Sequence, residues 1–502
     1  MTQQPPRHDA ALPGRTEITG PMVRPATNVG RVWRAKAQWA VRGLGPPTVP
    51  LALPGSDDDL SQRHARSVID LALRIGEALL STGASAADVV TTVLRLTYAY
   101  GVRSAHVDIT YTSISVSIQR GVDEDPLAVM RVIKTRSPDY SRLEQIQLLV
   151  DDVAGRARRG EEMRPVEEAR QDLGDILSAP HPYRRWVVTM GQVLIAVGVV
   201  VLFGGGPGMW VVAGLSAAIV DRVQRLLHSA GVAAFFSQAV SAGIPTTIAV
   251  LLFTLDDVGL SVPGVDSPSL VVISGIIVLL AGLGVMGAAQ DAVDGYYVTA
   301  GARGLEVVMM TLGIAIGISA VLATANRLGV PMEIAPFIAL GGSPVLGTIG
   351  ATVVAIGFSL SSYSGPRATA VAAALGAVAW VALELVSVLG VGTTATVTAA
   401  ATVVGVLGHT VYRVLRVPEL AITTAAIVSL LPGLAVYRGL FYIMSDSPQL
   451  VTAAAMEFVT AASTGLGLAA GLSLGAYAAR RRFGLDRASI RARRRSVGAY
   501  RS

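Results

Sequence analysis

The stretch Gly287–Glu306, GAAQDAVDGYYVTAGARGLE, decides how the rest of this chain is interpreted. It carries ionisable side chains between two apolar segments that are each long enough to cross a bilayer. Asp291 and Asp294 are three residues apart, so on a helix they share one face. Arg303 and Glu306 repeat that spacing. Charged groups so close to hydrocarbon are costly and usually face a cavity, a partner or an aqueous vestibule. The alternative is an ordinary cytoplasmic loop with solvated charges.

The composition around this stretch is that of a membrane protein. The chain has 502 residues, 52% hydrophobic and 15% charged, with a mean hydropathy of +0.54, whereas soluble domains carry roughly a quarter charged residues. Most of the charged residues lie before Arg185 or after Arg480, which predicts a soluble front and a membrane body. The chain contains no cysteine, which excludes disulfides and thiolate metal sites.

The net charge of +6 comes almost wholly from arginine. Clusters lie at Arg184–Arg185, Arg480–Arg482 and Arg491–Arg495, beside the apolar body. Such clusters are typical of the cytoplasmic flanks of spans in a lipid bilayer, and they favour a membrane over a nucleic acid as the partner.

The soluble front divides into a tail and a folded domain. Residues 1–56 are rich in Pro, Gly and Arg, which predicts a disordered tail; Arg31–Gly45 within it is either a short basic helix on the membrane surface or simply part of the tail. Residues 57–180 show helical and alternating patterns that predict a cytoplasmic α+β domain. Its predicted elements are helices at Leu60–Ser81, Ser85–Tyr100, Ser141–Arg159 and Pro165–Ser178, one or two strands in Ala105–Gln119, and a strand near Leu127–Lys134.

A few polar residues of this domain are candidates for chemistry. His106 and Asp108 point to the same face of the predicted strand, with Ser113 and Ser115 near in sequence, so a serine hydrolase site is one interpretation. Against it, no nucleophile elbow surrounds either serine, and an alternating strand naturally places polar groups on its outer face. Glu77 is a further candidate, and a solvated or hydrogen-bonded helix residue is its simpler interpretation.

Windows of about 20 apolar residues, the length that crosses a bilayer, divide the body into ten predicted spans. They are Trp186–Phe203, Met209–Leu227, Val232–Leu255, Ser269–Ala289, Leu305–Ala325, Ile334–Leu360, Thr369–Leu389, Thr393–Leu415, Pro418–Ile443 and Val451–Ala478. Residues 186–325 and 330–479 each hold five spans, and a basic cytoplasmic tail occupies residues 480–502. In the sixth span, Gly341–Gly347 (GGSPVLG) suits a half-helix or re-entrant piece.

Arginine positions orient these spans. With the N-terminus inside, the cytoplasmic connections contain Arg222, Arg225, Arg303, Arg367, Arg413 and Arg416, whereas the opposite connections contain Arg327. This asymmetry follows the positive-inside rule and predicts an even number of spans with both termini in the cytoplasm.

Ionisable groups and helix breakers inside the spans are the remaining signals. Glu384, Arg438 and Glu457 fall at similar depth, which predicts a charge-paired cluster that either binds substrate or holds helices together. Pro432 and Gly433 interrupt the ninth span, where a discontinuous helix would expose backbone polar groups. The fourth span has a comparable glycine layout in GVMGAAQDAVDGYY but no proline. Each stretch is the fourth span of a five-span half, so inverted repeats are one interpretation.

Several of these motifs together resemble the threonine/serine exporter family of bacterial membrane proteins. They are EALLSTGASAADVV and AYGVRSAHVDITYTSISVSI in the soluble domain, then QDAVDGYYVTAGARGLE and LLPGLAVYRGLF in the body. The resemblance implies a cytoplasmic N-terminal domain, ten spans in the inner membrane, and export of small hydroxy amino acids driven by the proton motive force. One departure is Met286-Gly287, which stands where the family resemblance and Pro432-Gly433 lead us to expect Pro-Gly.

A zwitterionic substrate needs an anionic partner for its ammonium group and a cation or helix N-terminus for its carboxylate. We therefore expect Asp291 or Asp294 to hold the ammonium group or carry the coupling proton, and Arg303 or Arg438 to hold the carboxylate. The full set of substrate-binding or proton-coupling candidates is Asp221, Gln290, Asp291, Asp294, Tyr297, Arg303, Glu306, Glu384, Arg438 and Glu457, with Pro432 and Gly433 as the helix break. We expect neither a metal nor a cofactor.

Three other interpretations stay open at the level of sequence. An exporter of small dicarboxylates such as succinate would need several arginines facing its cavity. A membrane-bound serine hydrolase would place its active site in the soluble domain. A membrane-tethered sensor or scaffold is disfavoured, because ten spans exceed what anchoring needs. Homo-oligomerisation is compatible with all of them.

Overall fold

Two parts of different composition make up the described chain. The computed structural model describes residues 61–119, 125–133, 138–260, 262–265, 267–279, 282–330, 343–444 and 448–482, all within the unit Leu44–Ser502. Several predicted segments lie outside the described residues. They are the tail 1–56 with its segment Arg31–Gly45, the first part of the sixth span, and the C-terminal tail beyond Arg482.

A small α+β domain comes first. Its elements are α1 (Gln62–Ser81), α2 (Ala86–Ala99), β1 (Ala105–Thr110), β2 (Ser113–Ile118), β3 (Leu127–Val132), α3 (Tyr140–Arg159) and α4 (Val166–Ser178). The strands form an antiparallel meander in the order β1-β2-β3. Ser85 caps α2, since its side chain accepts a hydrogen bond from the Asp88 amide. The predicted helices and strands of this region are confirmed, with two strands between Ala105 and Gln119.

Helix α1 is the centre of this domain. Val68, Leu71 and Ile75 recur at helical spacing along it and are fully buried. Their side of α1 meets all three other helices of the domain and strands β2 and β3. The buried residues of the domain form one continuous hydrophobic cluster with residues of the membrane helices, among them Met286 and Phe358.

The rest of the described chain is helical and apolar. Its helices are α5 (Arg185–Leu202), α6 (Pro207–Ser229), α7 (Ala234–Asp257), α8 (Ser269–Leu279), α9 (Gly282–Val293), α10 (Tyr297–Arg327), α11 (Pro344–Ser361), α12 (Pro366–Ser387), α13 (Thr393–Leu415), α14 (Glu419–Ile427), α15 (Gly433–Met444) and α16 (Pro448–Arg482). A 3₁₀ turn, Val428–Leu430, continues α14.

Seven of the described helices are long and apolar enough to cross a membrane, or up to nine spans exist if each of two bent pairs counts as one. The seven are α5, α7, α10, α11, α12, α13 and α16, and the pairs are α8 with α9 and α14 with α15. The chain is therefore a helical membrane protein. Helix α6, the predicted second span, has 23 residues, but Asp221, Arg222 and Arg225 make its second half polar. The sequence prediction of ten spans exceeds the upper count by one for this reason.

Helix α6 nevertheless runs antiparallel along α5. Gly214, near its start, lies against Val193 and Val197 of α5. Asp221, two turns later, is hydrogen-bonded to Thr189, near the start of α5. The two helices therefore cover the same depth of the bundle.

Glycines allow pairs of helices to pack backbone against backbone. Gly317 of α10 faces the carbonyl of Ala239 on α7, and Gly475 of α16 faces the carbonyl of Thr402 on α13; a Cβ at either glycine would collide with that carbonyl oxygen. Because glycine has no Cβ, the helices can approach closely at these positions. Successive contacts advance in the same direction along both members of each pair, so α7 lies parallel to α10 and α13 lies parallel to α16.

The two bent pairs are broken helices. Helices α8 and α9 meet at 44°, and α14 and α15 meet at 46°. The second break falls at Pro432 and Gly433, as the sequence predicts. In the first pair, Met286 and Gly287 lie within α9, and the bend precedes them.

Candidate functional site

A cavity of about 650 Å³ lies among the membrane helices, with Pro138 of the N-terminal domain in its wall. Its polar lining consists of Gln192, Gln224, His228, Ser237, Gln238, Ser361 and Ser362. Its apolar lining includes Ile277, Val278, Leu279, Val285, Val428, Leu431, Pro432, Gly433 and Val436. Because Pro138, the end of α6 and the end of α11 all border it, the cavity reaches the end of the bundle that carries the domain. Its volume is in the range of small-molecule sites.

Both helix breaks border this cavity. Leu279 ends α8 and Gly433 begins α15, and both residues belong to the cavity wall. The two broken helices touch there, because Gly433 lies against Ile277, and a Cβ at this glycine would lie 2.8 Å from Ile277 Cγ1. The last described turn of α8 and the amide end of α15 therefore both border the cavity.

Gln238 connects α7 to the first of these breaks. Its Nε2 donates a hydrogen bond to the carbonyl oxygen of Leu279 at 3.3 Å. That carbonyl belongs to the last described turn of α8. Gln238 therefore bonds to the backbone beside the bend, and it does so from the cavity wall.

Asp291 and Arg303 form a buried ion pair at the membrane end of the N-terminal domain. The Nη1–Oδ2 distance is 3.2 Å, and the two residues are 0% and 8% exposed. Gly287, one turn earlier on α9, makes room for the guanidinium, because a Cβ there would lie 2.7 Å from Nη1. Asp291 Oδ1 accepts a hydrogen bond from the Ala86 amide at 3.0 Å, and Arg303 Nη2 donates one to the Ala84 carbonyl at 3.1 Å. The pair therefore binds the start of α2, whose positive end favours a carboxylate.

Further hydrogen bonds fix the N-terminal domain on the membrane helices. They join Thr299 Oγ1 to the Ile109 carbonyl (3.3 Å), the Tyr111 hydroxyl to the Glu306 carboxylate, the Tyr140 amide to the Ser362 carbonyl (2.9 Å) and the Tyr412 hydroxyl to the Asp151 carboxylate (3.1 Å). We call these contacts, together with the Asp291–Arg303 pair, the docking interface. Most of the ionisable residues of the stretch Gly287–Glu306 thus contact the N-terminal domain.

Asp294 lies in the turn between α9 and α10, outside the candidate spans. Burial raises its pKa, and the neighbouring carboxylates Asp88 and Asp291 raise it further, to about 6. A carboxyl group with such a pKa changes protonation state near neutral pH. Gln290 precedes it on α9 and accepts its backbone amide hydrogen bond at 2.9 Å, whereas Tyr297 is 75% exposed.

Comparison with known proteins identifies the family. A family model described as a putative threonine/serine exporter matches residues 70–325, which is half of the chain, and a second one described as a threonine/serine exporter matches residues 347–477. The chain belongs to the threonine/serine exporter family. The resemblance seen in the sequence is confirmed.

Two curated relatives support this membership. The chain is 34% identical over 453 residues to a probable threonine/serine exporter of Mycobacterium tuberculosis (strain ATCC 25618 / H37Rv), covering 88% of this chain and 82% of the relative. It is 31% identical over 463 residues to the threonine/serine exporter of Corynebacterium glutamicum, covering 91% and 90%. No solved structure matches the chain.

Membership of the threonine/serine exporter family makes this chain a transporter and not an enzyme. The four residues considered for a serine hydrolase site do not form a catalytic arrangement. His106 and Asp108 are exposed on β1, Ser113 Oγ is 2.7 Å from Thr110 Oγ1, and Ser115 Oγ is 3.4 Å from the backbone carbonyl oxygen of Asp108. These hydrogen bonds join neighbouring strands and do not join a serine to a histidine.

Asp221 lies next to the cavity of this exporter without lining it. It accepts a hydrogen bond from Thr189 at 2.7 Å and pairs with Arg225. Gln192 follows Thr189 on α5 and Gln224 follows Asp221 on α6, each by three residues, and both glutamines line the cavity. The Asp221 network therefore holds together the two helices that carry them.

The other charged candidates are distributed over the molecule. Arg438 of α15 and Glu457 of α16 lie 4.0 Å apart. Glu384 lies on α12 and forms no ion pair with either within the described ranges. Glu77 pairs with Arg131 at 2.6 Å and so links α1 to β3 inside the N-terminal domain.

The structure brings only Pro432 and Gly433 of the predicted set to the cavity wall among the residues it describes. None of the polar lining residues belongs to the predicted set, because that set consists mainly of charged side chains, whereas the lining consists of amides, hydroxyls and one imidazole. A signal was present: Gln192 and Gln238 are uncharged hydrogen-bonding residues within apolar spans. Such residues are costly in a membrane unless they find a partner.

Proposed function

We propose that this chain exports L-threonine and L-serine from the cytoplasm and that the proton motive force drives the export. The family and the names of the two relatives support the substrate class. The observation that carries the proposal is the cavity at which two broken helices meet, because transporters commonly bind substrate beside discontinuous helices.

The proposal includes a topology of ten spans with the N-terminal domain and both chain ends in the cytoplasm. Three observations support it: α6 lies antiparallel along α5, the domain end of the bundle carries the arginine-rich connections, and corresponding helices have corresponding neighbours. In residues 186–325 the third helix packs on the fifth and the fourth is broken, and residues 330–479 repeat this pattern. Five spans per half would make the halves inverted repeats.

The chemistry of the cavity suits a zwitterion. The carbonyl end of α8 is the negative end of a helix dipole and would attract an ammonium group, and the amide end of α15 would attract a carboxylate. Gln192, Gln224 and Ser237 supply hydrogen-bonding groups for a side-chain hydroxyl. Among the described lining residues there is neither arginine nor lysine, so the doubly anionic substrate of a dicarboxylate exporter would lack partners.

In this proposal the cavity is the inward-facing binding site. It reaches the domain end of the bundle, which the arginine distribution places in the cytoplasm. Export would then require the helices around the breaks to move until the site opens at the opposite end. Short half-helices allow such movement more easily than continuous helices do, because the break concentrates the change in a few backbone angles.

The docking interface has a different role in the proposal. Asp291 and Arg303 form an ion pair with each other and hydrogen bonds to the start of α2. In the proposal they therefore hold the N-terminal domain in place and do not bind the zwitterion. The domain contributes Pro138 to the cavity wall. Its docking therefore affects how the cavity opens to the cytoplasm.

Transport by purified protein in liposomes tests the proposal. Vesicles with an acidic lumen provide outward proton flow, which should drive uptake of labelled threonine by a proton antiporter. We expect unlabelled serine to compete and succinate not to compete. Uptake of succinate instead of threonine, or uptake unaffected by the pH gradient, would contradict the proposal.

A substitution within the cavity connects this activity to the site. Ser237→Trp places a bulky side chain on α7 at the cavity wall and should lower threonine uptake at least tenfold. Ser229→Trp is the matched control, because Ser229 is exposed at the end of α6 and is absent from the cavity lining. An equal loss of threonine uptake in both variants would show that the effect of Ser237→Trp does not depend on the cavity.

A further inference from the structure

His409 is a buried histidine that the proposed cavity does not use. It lies on α13, is 4% exposed, and its Nδ1 is 2.9 Å from Oε2 of Glu419, the first residue of α14. Since a carboxylate can only accept a hydrogen bond, Nδ1 carries the proton of the neutral imidazole. Nε2 then holds the lone pair, and it is the atom at which a second proton can bind.

The other ring nitrogen, Nε2, is buried and has no hydrogen-bond partner within the part of the chain that the structure describes. Buried polar atoms are normally paired, so an unpaired one needs an explanation. Glu419 lies on the other side of the ring, where its charge stabilises an imidazolium ion. The pair can therefore switch between a neutral ring and an ion pair when one proton binds.

We propose that the proton that drives export binds Nε2 of His409, with Glu419 as its counter-ion. This inference rests on the proposed export function and adds the group that carries the proton. Binding forms one N–H bond and breaks none within the protein, since the proton comes from water, and the same proton leaves when the ring becomes neutral again.

The charged groups around the pair are few and can be named. Tyr412 follows His409 on α13, with ring centroids 6.2 Å apart, and its hydroxyl donates to Asp151 of α3, which pairs with Arg95 of α2 at 2.7 Å. Other charged residues on the neighbouring elements are Glu144 of α3, Arg367 at the start of α12, Arg413 and Arg416 at the end of α13, and Arg480 near the end of the parallel neighbour α16. Of these groups, Glu419 is the one bonded to the ring.

The position of Glu419 connects the pair to the cavity. Glu419 begins α14, and the 3₁₀ turn that continues α14 contributes Val428 to the cavity wall just before the break at Pro432. Helices α13 and α14 are in tight contact beside the pair, because Gly408 lies against the side chain of Thr423. A change in the attraction between His409 and Glu419 therefore acts on a helix whose other end forms the broken part of the binding site.

Comparing two kinds of transport in the same liposomes separates coupling from substrate binding. Threonine exchange, measured with equal pH on both sides, needs substrate binding and movement but no net proton transfer. Uptake driven by an acidic lumen needs the proton as well. His409→Gln should lower gradient-driven uptake at least tenfold while exchange stays within about threefold of wild type. His64→Gln, which changes a half-buried histidine in the N-terminal domain, should leave both activities unchanged.

Glu419→Gln gives a second, independent variant that keeps the histidine. Without the carboxylate the imidazolium is less stable, so gradient-driven uptake should require a more acidic lumen by about one pH unit or more. Gradient-driven uptake equal to wild type in both variants would overturn the assignment of the proton site. Wild-type protein that exchanges no threonine would instead overturn the proposed function, so the two failures are distinguishable.

Discussion

Asp291 shows how the structure supplies partners for a residue that the sequence singles out as costly. The sequence identified it because a carboxylate beside an apolar span is costly. In the structure that cost is offset by Arg303, by the Ala86 amide and by the positive end of α2. Arg303 lies in the same stretch as Asp291, whereas Ala86 and α2 are remote in the sequence, so spacing alone does not reveal them as partners.

The Asp291–Arg303 pair should contribute strongly to stability. Removing one partner of a buried ion pair leaves an uncompensated charge, which typically costs about 3–5 kcal/mol. We therefore expect Asp291→Asn and Arg303→Gln each to lower the melting temperature in detergent, and the double variant to be less destabilised than the sum of the two. The matched control is the solvent-exposed pair Arg159–Glu161, whose side chains are 57% and 48% exposed and whose removal should leave the melting temperature nearly unchanged. Strict additivity of the two Asp291 and Arg303 effects would show that they act independently.

Asp294 should make stability depend on pH in a defined direction. Its pKa in the folded protein is about 6, above the ordinary value of 3.8, so folding favours the protonated form. The stabilisation it contributes is complete below about pH 4 and is lost as the pH rises through 6. After allowance for solvent screening, we estimate the loss at roughly 1–2 kcal/mol.

The variant Asp294→Asn isolates this effect, because an amide stays neutral throughout the range. Between pH 4.5 and 7.5, the melting temperature of the variant should rise relative to that of wild type as the pH increases. Asp175→Asn, at an exposed position on α4, serves as the control and should show no such trend. A constant difference between Asp294→Asn and wild type at all pH values would argue against titration of Asp294.

At the scale of elements, local patterns predicted the N-terminal domain and the second helix break, whereas the first break and the cavity required long-range contacts. The break at Pro432 can be predicted from the sequence, because proline lacks an amide hydrogen and restricts the conformation of the preceding residue. Leu431 accordingly has extended backbone angles, φ −62° and ψ 144°. The break after α8 has no proline beside it, and it becomes visible only where Gln238 and Gly433 meet the end of α8.

Pro432→Ala should turn this break into a more continuous helix. Alanine restores the amide donor and relieves the restriction on Leu431, so the half-helices can join. We expect unchanged or higher thermal stability together with at least a tenfold loss of threonine transport. Pro366→Ala is the control, because Pro366 is the first residue of α12, where proline interrupts no helical hydrogen bond. Wild-type transport by Pro432→Ala would mean that the break is dispensable.

At the scale of the whole molecule, the main result is that the N-terminal domain docks directly on the end of the bundle at which the cavity opens. Composition predicted a soluble front and a membrane body, but not this contact, because its hydrogen bonds join residues that lie far apart in the sequence. Thr299 with Ile109 and Tyr140 with Ser362 are examples. The proposed orientation of the entire bundle therefore follows from the side of the membrane on which the domain lies.

That orientation can be tested cleanly because the chain has no cysteine. Single cysteines introduced at exposed positions would be the only reactive thiols. Leu328 and Val388, 77% and 84% exposed, follow the ends of α10 and α12 that point away from the domain, whereas Tyr98 is 63% exposed on the domain itself. In intact cells, a membrane-impermeant maleimide should label Leu328→Cys and Val388→Cys, and it should label Tyr98→Cys only after lysis. Because both α10 and α12 start at the docking interface and cross once, labelling of all three from the same side would contradict the proposed topology. Labelling of Tyr98→Cys alone in intact cells would place the cavity on the outside, and the chain would then bind its substrate from outside the cell in the conformation described.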